Sequence, residues 1–213
     1  MTCQPPAHGV RAIVLDLGGV VLGINFRQVF SHWAAAAGVE ERIFYDHWRL
    51  DDAYRQHKIG AIDFHRYTQH MTEQLGVELS QEAWRVGWNA LWTEPHHRVV
   101  GLFPAIKRRY GLFAFSNTNA THAVSFRHRY ADALAGFDQL FLSHEIGARK
   151  PDPQSFLDVC ERIQVAPHQV LFLDDSQENV SGARSVGLIA QHTRSEQEVV
   201  QALRDTLDTI QES

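Results

Sequence analysis

Four short clusters of polar residues in this chain each follow an apolar run, and their types suit one kind of chemistry. Asp16 ends the run AIVLD (12–16) and is followed by LGG. Ser116, Asn117, Thr118 and Asn119 follow the run beginning LFAF. The segment SHEIGARKPDP (143–153) carries Lys150, and VLFLD (170–174) ends in the pair Asp174-Asp175. Carboxylates, a hydroxyl and a lysine at one place suit phosphoryl transfer. A hard divalent cation such as Mg²⁺ prefers carboxylate, carbonyl and water oxygens. It neutralises phosphate charge and lets a carboxylate approach an anion that would otherwise repel it. A lysine adds a point charge, while hydroxyl and backbone N–H groups hold phosphate oxygens. A carboxylate nucleophile divides hydrolysis into two easier steps through an acyl phosphate.

Each residue alone has a plainer explanation. An Asp after a strand serves turns, a Ser caps helices, and paired acids favour a helix N-terminus. The elements that carry the residues decide between these readings. The runs at 12–16, 112–116, 138–143, 170–174 and 188–192 are short and apolar, as buried strands are. Between the later runs, apolar residues recur at helical spacing: Phe156, Val159, Cys160 and Ile163; Val180, Ala183 and Val186; Val199, Val200, Leu203, Leu207 and Ile210. Residues 120–130 are also expected to be helical. Val99, Leu102, Phe103, Ile106 and Tyr110 form one more stripe, with a bend or restart at Pro104. Strands alternating with helices predict an α/β fold with a doubly wound, Rossmann-like parallel sheet. All four polar clusters then fall at the strand C-termini, where ligands of such sheets bind. Together they favour function over four separate structural coincidences.

Residues 22–92 break the rhythm. Phe30, Trp33, Ala34 and Ala37, then Phe64, Tyr67, Thr68, Met71 and Leu75, then Trp84, Trp88, Leu91 and Trp92, all repeat at helical spacing. No strand is expected among them, so a small helical bundle stands inserted after the first strand. The expected division is a core of residues 1–21 and 93–213 with a helical cap at 22–92. The many aromatics of the cap are read as packing rather than as a sugar-stacking site.

LDLGGVV, FSNTN, SHEIGARKPDP and LFLDDSQENVSGARSVG resemble, in order and placement, the four motifs of the haloacid dehalogenase-like superfamily. The long interval from 16 to 116 resembles the members whose cap is inserted after the first motif. The resemblance implies that Asp16 is the nucleophile, forming a phosphoaspartate, and also a metal ligand. It implies that Ser116, helped by Asn117, binds phosphate, and that Lys150 bridges nucleophile and phosphate. Asp175 is implied as a direct Mg²⁺ ligand and Asp174 as a direct or water-mediated one. The backbone carbonyl of Gly18 completes the metal set, and Asn179 supports the loop.

One position departs from that pattern. Typical phosphatases of the superfamily carry a second Asp two residues after the nucleophile, which protonates the leaving group and then deprotonates water. This chain has Gly18. General acid–base help is worth about 10²–10⁴-fold. The favoured reading is a leaving group that needs little protonation, like the hemiacetal oxygen of a sugar 1-phosphate. DLGGVV is similar to a branch that includes bacterial glucose-1-phosphate phosphatases with glycine there. Alternatively a cap residue such as Asp51 or His57, or a water, supplies the proton. A third reading is loss of efficient turnover. The expected function is a Mg²⁺-dependent phosphatase of a small phosphorylated metabolite, in particular a sugar phosphate. The alternatives are a 2-haloacid dehalogenase or a phospholigand-binding protein without turnover. Asn25, Arg27 and His57 are candidates for substrate contact.

Composition fits this picture. Twenty Lys and Arg against 25 Asp and Glu give a formal charge of −5, so no basic excess points to nucleic acid. No apolar run is long enough to span a bilayer, and the first residues lack the apolar stretch of a secretion signal, so a cytoplasmic protein is expected. A monomer or homodimer is expected. The 13 histidines show no persuasive ligand spacing: His96 and His97 are adjacent, and His65 and His70 lie five apart. Cys3 lies near the N-terminus and Cys160 on a helical apolar stripe, so no disulfide is expected.

Overall fold

The computed structural model describes residues 9–209. The chain begins with strand β1 (Ala12–Leu15) and passes a tight turn into β2 (Leu22–Ile24). Five helices follow: α1 (Phe26–Ala37), α2 (Arg42–His47), α3 (Asp52–Lys58), α4 (Phe64–Leu75) and α5 (Gln81–Asn89). Strand β3 (Trp92–Pro95) leads to α6 (His97–Val100) and α7 (Phe103–Lys107). The remainder alternates: β4 (Gly111–Ser116), α8 (Ala120–Arg129), α9 (Ala131–Leu134), β5 (Gln139–Leu142), α10 (Ser143–Ile146) and α11 (Pro153–Ile163). Then come β6 (Val170–Asp174), α12 (Gln177–Ser185), β7 (Ile189–His192) and α13 (Glu196–Asp208). Short polar side chains start many of these helices. Asn25, Asp51, Asp63, Ser80, Asn119, Asp152, Ser176 and Ser195 each accept a hydrogen bond from a first-turn N–H.

Strands β5-β4-β1-β6-β7 form one parallel sheet, the fold class expected. Its central strands are apolar on both faces because helices cover both. Ile13, Leu15, Leu112, Ala114, Leu171 and Leu173 face one layer, with α13 and the α6–α8 region. Ala12, Val14, Phe115, Phe141 and Phe172 face the other, against Phe156, Val159 and Cys160 of α11 and Val180 and Ala183 of α12. Cys160 is thus a small buried core residue, while Cys3 and Ile210 lie outside the described residues. No described helix is long and apolar enough to cross a membrane.

One expectation is corrected, and the restart expected at Pro104 is found. Strands do occur at the ends of the 22–92 region: β2 and β3 pair antiparallel, so Trp92 belongs to a strand and not to the α5 stripe. Three and four residues are too few for periodicity to register, and their partners lie about 70 residues apart in sequence. The 99–110 stripe is two short helices, separated at Gly101–Leu102, with Pro104 in the first turn of the second.

The β2–β3 ribbon carries the chain out to α1–α5 and back. Trp33, Trp84 and Trp88 are fully buried there. Trp33 stacks on Trp88 at 5.7 Å and lies edge-on to Trp84 at 4.9 Å, and its Nε1 donates to the Trp84 carbonyl. These aromatics pack one another, as expected. Their cluster is continuous with one layer of the sheet.

Candidate active site

Parallel strands place all their C-termini on one edge, and there the polar clusters meet. Lys150 is fully buried between β4 and β6. Its Nζ donates to the Phe115 carbonyl at 2.6 Å and to Asp174 Oδ2 at 2.6 Å, and pairs with Asp16 Oδ1 at 2.9 Å. The rings of Phe115 and Phe172 lie 5.3 Å from the same nitrogen. Burial would lower the lysine's pKa, but Asp16 and Asp174 more than offset it and hold the ammonium above its ordinary value.

Asp16 continues β1, its backbone N–H donating to the Leu173 carbonyl at 2.9 Å. It is 9% exposed. Burial pushes its carboxyl up to about 7; Lys150 opposes the shift, and Asp174 and Asp175 add to it. Asp16, Asp174 and Asp175 each offer a carboxylate oxygen, all within 4.8 Å of one another. Asp174 is already engaged. Its Oδ1 accepts from Ser176 N–H and Asn179 Nδ2, its Oδ2 from Lys150 and Asn179. Asp175 is exposed at the mouth of the site. Gly19 makes room for it: a Cβ there would collide with the Asp175 carboxylate, and the residue's φ of +79° also suits glycine. A set of hard oxygens with a single bonded ammonium fits a small divalent cation.

Ser116 ends β4, and its buried side chain lines a cavity of about 130 Å³ with Asp16, Gly18, Asn117 and Asp175. Asn117, expected to help bind phosphate, stands beside Ser116 at the same sheet edge. Its side chain donates to the Lys150 carbonyl at 2.8 Å and accepts from the Lys150 N–H at 2.9 Å. It fixes the lysine loop, which leaves its backbone rather than its amide for a ligand. A Cβ on Gly18 would meet Ile24 Cγ2 at 3.3 Å and the Trp92 ring at 3.9 Å, so side chains of the ribbon occupy the space beside the glycine.

The opposite wall is formed by the inserted helices. Tyr54 and Lys58 of α3 line the cavity, with Trp92 and His122. None of these four stood out in the sequence as functional, because nothing local marks a lysine that folds inward from a distant helix. Asp51 and His57, considered as proton donors, do not line the cavity. Asp51 caps α3 and bonds His70 Nε2 at 2.6 Å. His57 stacks on Tyr67 at 4.7 Å, with Nδ1 3.3 Å from the Ile62 carbonyl. Asn25 caps α1, and Arg27 is exposed on it. Several buried polar atoms of residues lining the cavity lack partners among the described residues: Thr118 Oγ1, Trp92 Nε1 and His122 Nε2. His122 Nδ1 lies 3.2 Å from Asn89 Oδ1, so in the neutral ring Nδ1 donates and Nε2 accepts. Burial holds this histidine well below its usual range, and Lys58 and His57 add to the shift. A larger, shallower groove of about 850 Å³ runs between α5 and α8 beside Arg85, Val124 and His128. It contains none of the clustered carboxylates.

Known proteins share this fold. A family profile described as haloacid dehalogenase-like hydrolase matches residues 10–187. The D-ribitol-5-phosphate phosphatase of Bacteroides thetaiotaomicron is 21% identical over 183 residues, covering 84% of this chain and 89% of that protein. A HAD-like family hydrolase from Porphyromonas gingivalis superposes with a TM-score of 0.81 at 20% identity, over 93% of this chain and 98% of the other. A HAD family enzyme of Bacteroides thetaiotaomicron, solved with magnesium and inorganic phosphate, gives 0.74 at 22% identity, over 88% and 96% of the two chains. With the matched span running from before β1 to beyond α12, the chain belongs to the haloacid dehalogenase-like hydrolases.

Proposed function

We propose that this hydrolase is a Mg²⁺-dependent cytoplasmic phosphatase of a small phosphorylated metabolite, a sugar phosphate or related polyol phosphate, acting through phospho-Asp16. The observation that carries the reading is the convergence of Asp16, Asp174 and Asp175 around Lys150, beside Ser116. Asp16, the Gly18 carbonyl, Asp174 and Asp175 would hold the cation. When bound, it neutralises phosphate charge and lets a carboxylate approach phosphorus.

The chain's own residues supply the rest. A carboxylate oxygen of Asp16 attacks phosphorus, the bond to the leaving oxygen breaks, and an acyl phosphate forms. Lys150 holds the attacking carboxylate in place and adds positive charge where charge develops on the phosphoryl oxygens. Ser116 donates to one of those oxygens, and Asn117 keeps the lysine loop in register. Water then hydrolyses the acyl phosphate and restores Asp16. The small cavity, with unpaired donors and an acceptor among its lining residues, supports a compact hydroxyl-bearing leaving group. Related phosphatases named for ribitol 5-phosphate and, in Thermotoga maritima, for phosphorylated carbohydrates support the same class. A halide-displacing reading needs no carboxylate pair beside the nucleophile, so Asp174-Asp175 favours phosphate.

The test is phosphate release from a panel of sugar, polyol and aryl phosphates, with Mg²⁺ and with EDTA. Release should require the metal and vanish in Asp16→Asn. Persisting turnover in that variant removes Asp16 as nucleophile. Saturable binding without any turnover removes the enzyme reading.

A further inference from the structure

Lys58 is 4% exposed. Among the described residues its ammonium has neither a hydrogen-bond acceptor nor an ion-pair partner, although it lines the cavity over Asp16. Among the described residues, aromatic faces cushion it: the Tyr54 ring lies 5.1 Å and the Trp88 ring 5.5 Å from Nζ. A cation withdrawn from water without an anion is costly, and cation–π contacts repay only part of that cost. The backbone nevertheless holds it there. Ser143 Oγ, at the start of α10, lies 2.5 Å from the Lys58 carbonyl and 2.9 Å from the Thr118 carbonyl. The helix that carries Lys58 is therefore pinned to the sheet edge at this residue. An unpaired ammonium held in the wall of the cavity that Asp16 also lines is a donor awaiting an acceptor, and the substrate supplies one.

We propose that Lys58 donates the proton to the leaving-group oxygen, from the inserted helices, in place of the acid absent at Gly18. The proposal rests on the phosphatase reading of the same site. As Asp16 attacks and the bond between phosphorus and the leaving oxygen breaks, that oxygen takes a proton from Lys58 and departs as an alcohol, leaving a neutral amine. The amine then accepts a proton from the water that attacks phospho-Asp16. Inorganic phosphate leaves, and the ammonium is restored. Both half-reactions balance with water as the only co-reactant.

The surroundings favour the exchange. Burial lowers the ammonium to about 7; the Arg149 guanidinium adds to the shift and the Asp16 carboxylate opposes it. A donor of that strength exchanges its proton near neutral pH. The other titratable groups around it are Asp175 on the sheet edge, His122 of α8, His144 of α10, and Tyr54 and His57 of its own helix.

A leaving-group series tests the assignment. Lys58→Met keeps most of the unbranched apolar stem and removes the charge and the proton. It should hydrolyse 4-nitrophenyl phosphate nearly as the wild type does, and lose about 10²- to 10⁴-fold on alkyl phosphates. Lys58→Arg keeps the charge but not an exchangeable proton, so its KM should stay near wild type while kcat on alkyl phosphates falls like that of Lys58→Met. An equal loss on every ester would assign Lys58 to charge or structure and overturn the proposal, as would no loss. Lys58→Met should also melt at a higher temperature than wild type, since it removes an unpaired buried charge. An activity-independent measurement separates this proposal from the phosphatase reading. In an NMR titration of lysine Nζ, with Lys58→Met for assignment, the Lys58 signal should titrate near neutrality. A proton retained to the ordinary lysine range overturns the donor even if the enzyme proves a phosphatase; no ester hydrolysis by wild type overturns both.

Discussion

Lys150 has three protons on Nζ and three acceptors, each from a different part of the chain: the Phe115 carbonyl, Asp16 and Asp174. This satisfaction is what lets two buried carboxylates stand side by side. Lys150→Met would leave both without a counter-ion, a change that typically costs about 3–5 kcal/mol. It should lower the denaturant midpoint markedly and reduce kcat by at least about 10²-fold. Lys150→Arg should not rescue it. A planar guanidinium cannot reproduce three diverging bonds, and the fully buried site has no room for a larger head. A wild-type rate in Lys150→Arg would show that the lysine acts only as a distant positive charge. Asn117 shows the same economy: both ends of its amide serve the Lys150 backbone, so it positions the lysine.

The element that decides the acid–base question is the turn after β1 with the β2–β3 ribbon beside it. Gly18 has no left-handed φ, so an aspartate could adopt its backbone conformation. The obstacle is Ile24 at 3.3 Å, yet Ile24 is 38% exposed and stands on the short β2 strand, so it can yield by a few tenths of an ångström. Gly18→Asp, with Ile24→Val to relieve the contact, should therefore fold. In the Lys58→Met background it should restore hydrolysis of alkyl phosphates and change 4-nitrophenyl phosphate little. With Lys58 intact the gain should be smaller, because a donor is already present. If the double variant stays inactive on alkyl phosphates while remaining folded and active on the aryl ester, position 18 does not reach the leaving oxygen in this chain.

For the whole molecule, the histidines buried between inserted helices and sheet couple stability to pH. His57 is 2% exposed, and burial lowers it to about 4, with Lys58 adding to the shift. His122 moves in the same direction. As pH falls below the unfolded value near 6.5, the unfolded chain takes up protons that the native state refuses. Stability is then full above about 6.5 and is lost on acidification toward 4. From pH 6.5 to 5 the loss from His57 alone is on the order of 2 kcal/mol. Urea unfolding across this range should show the slope, and His57→Phe should flatten it. Unchanged pH dependence in that variant would assign the slope to other groups.

The class of the sheet and the order of the motifs at its edge were legible in the residues alone, as were the polar side chains that meet there. Short apolar runs ending in Asp16, Ser116 and Asp174-Asp175 are local signals, and parallel pairing sends such ends to one edge. Cap residues carry no such signal. Lys58 lies on a polar helix in the sequence and becomes a buried, unpaired ammonium only when α3 is docked on Ser143. The β2–β3 ribbon is likewise invisible locally, because its two short strands are defined by each other across the whole insertion. Gly18 was legible as a missing carboxylate. Only tertiary packing decided that Ile24 and Trp92 stand beside it, and that Lys58 of the inserted helices lines one cavity with Asp16, because desolvation and convergence are properties of the folded arrangement.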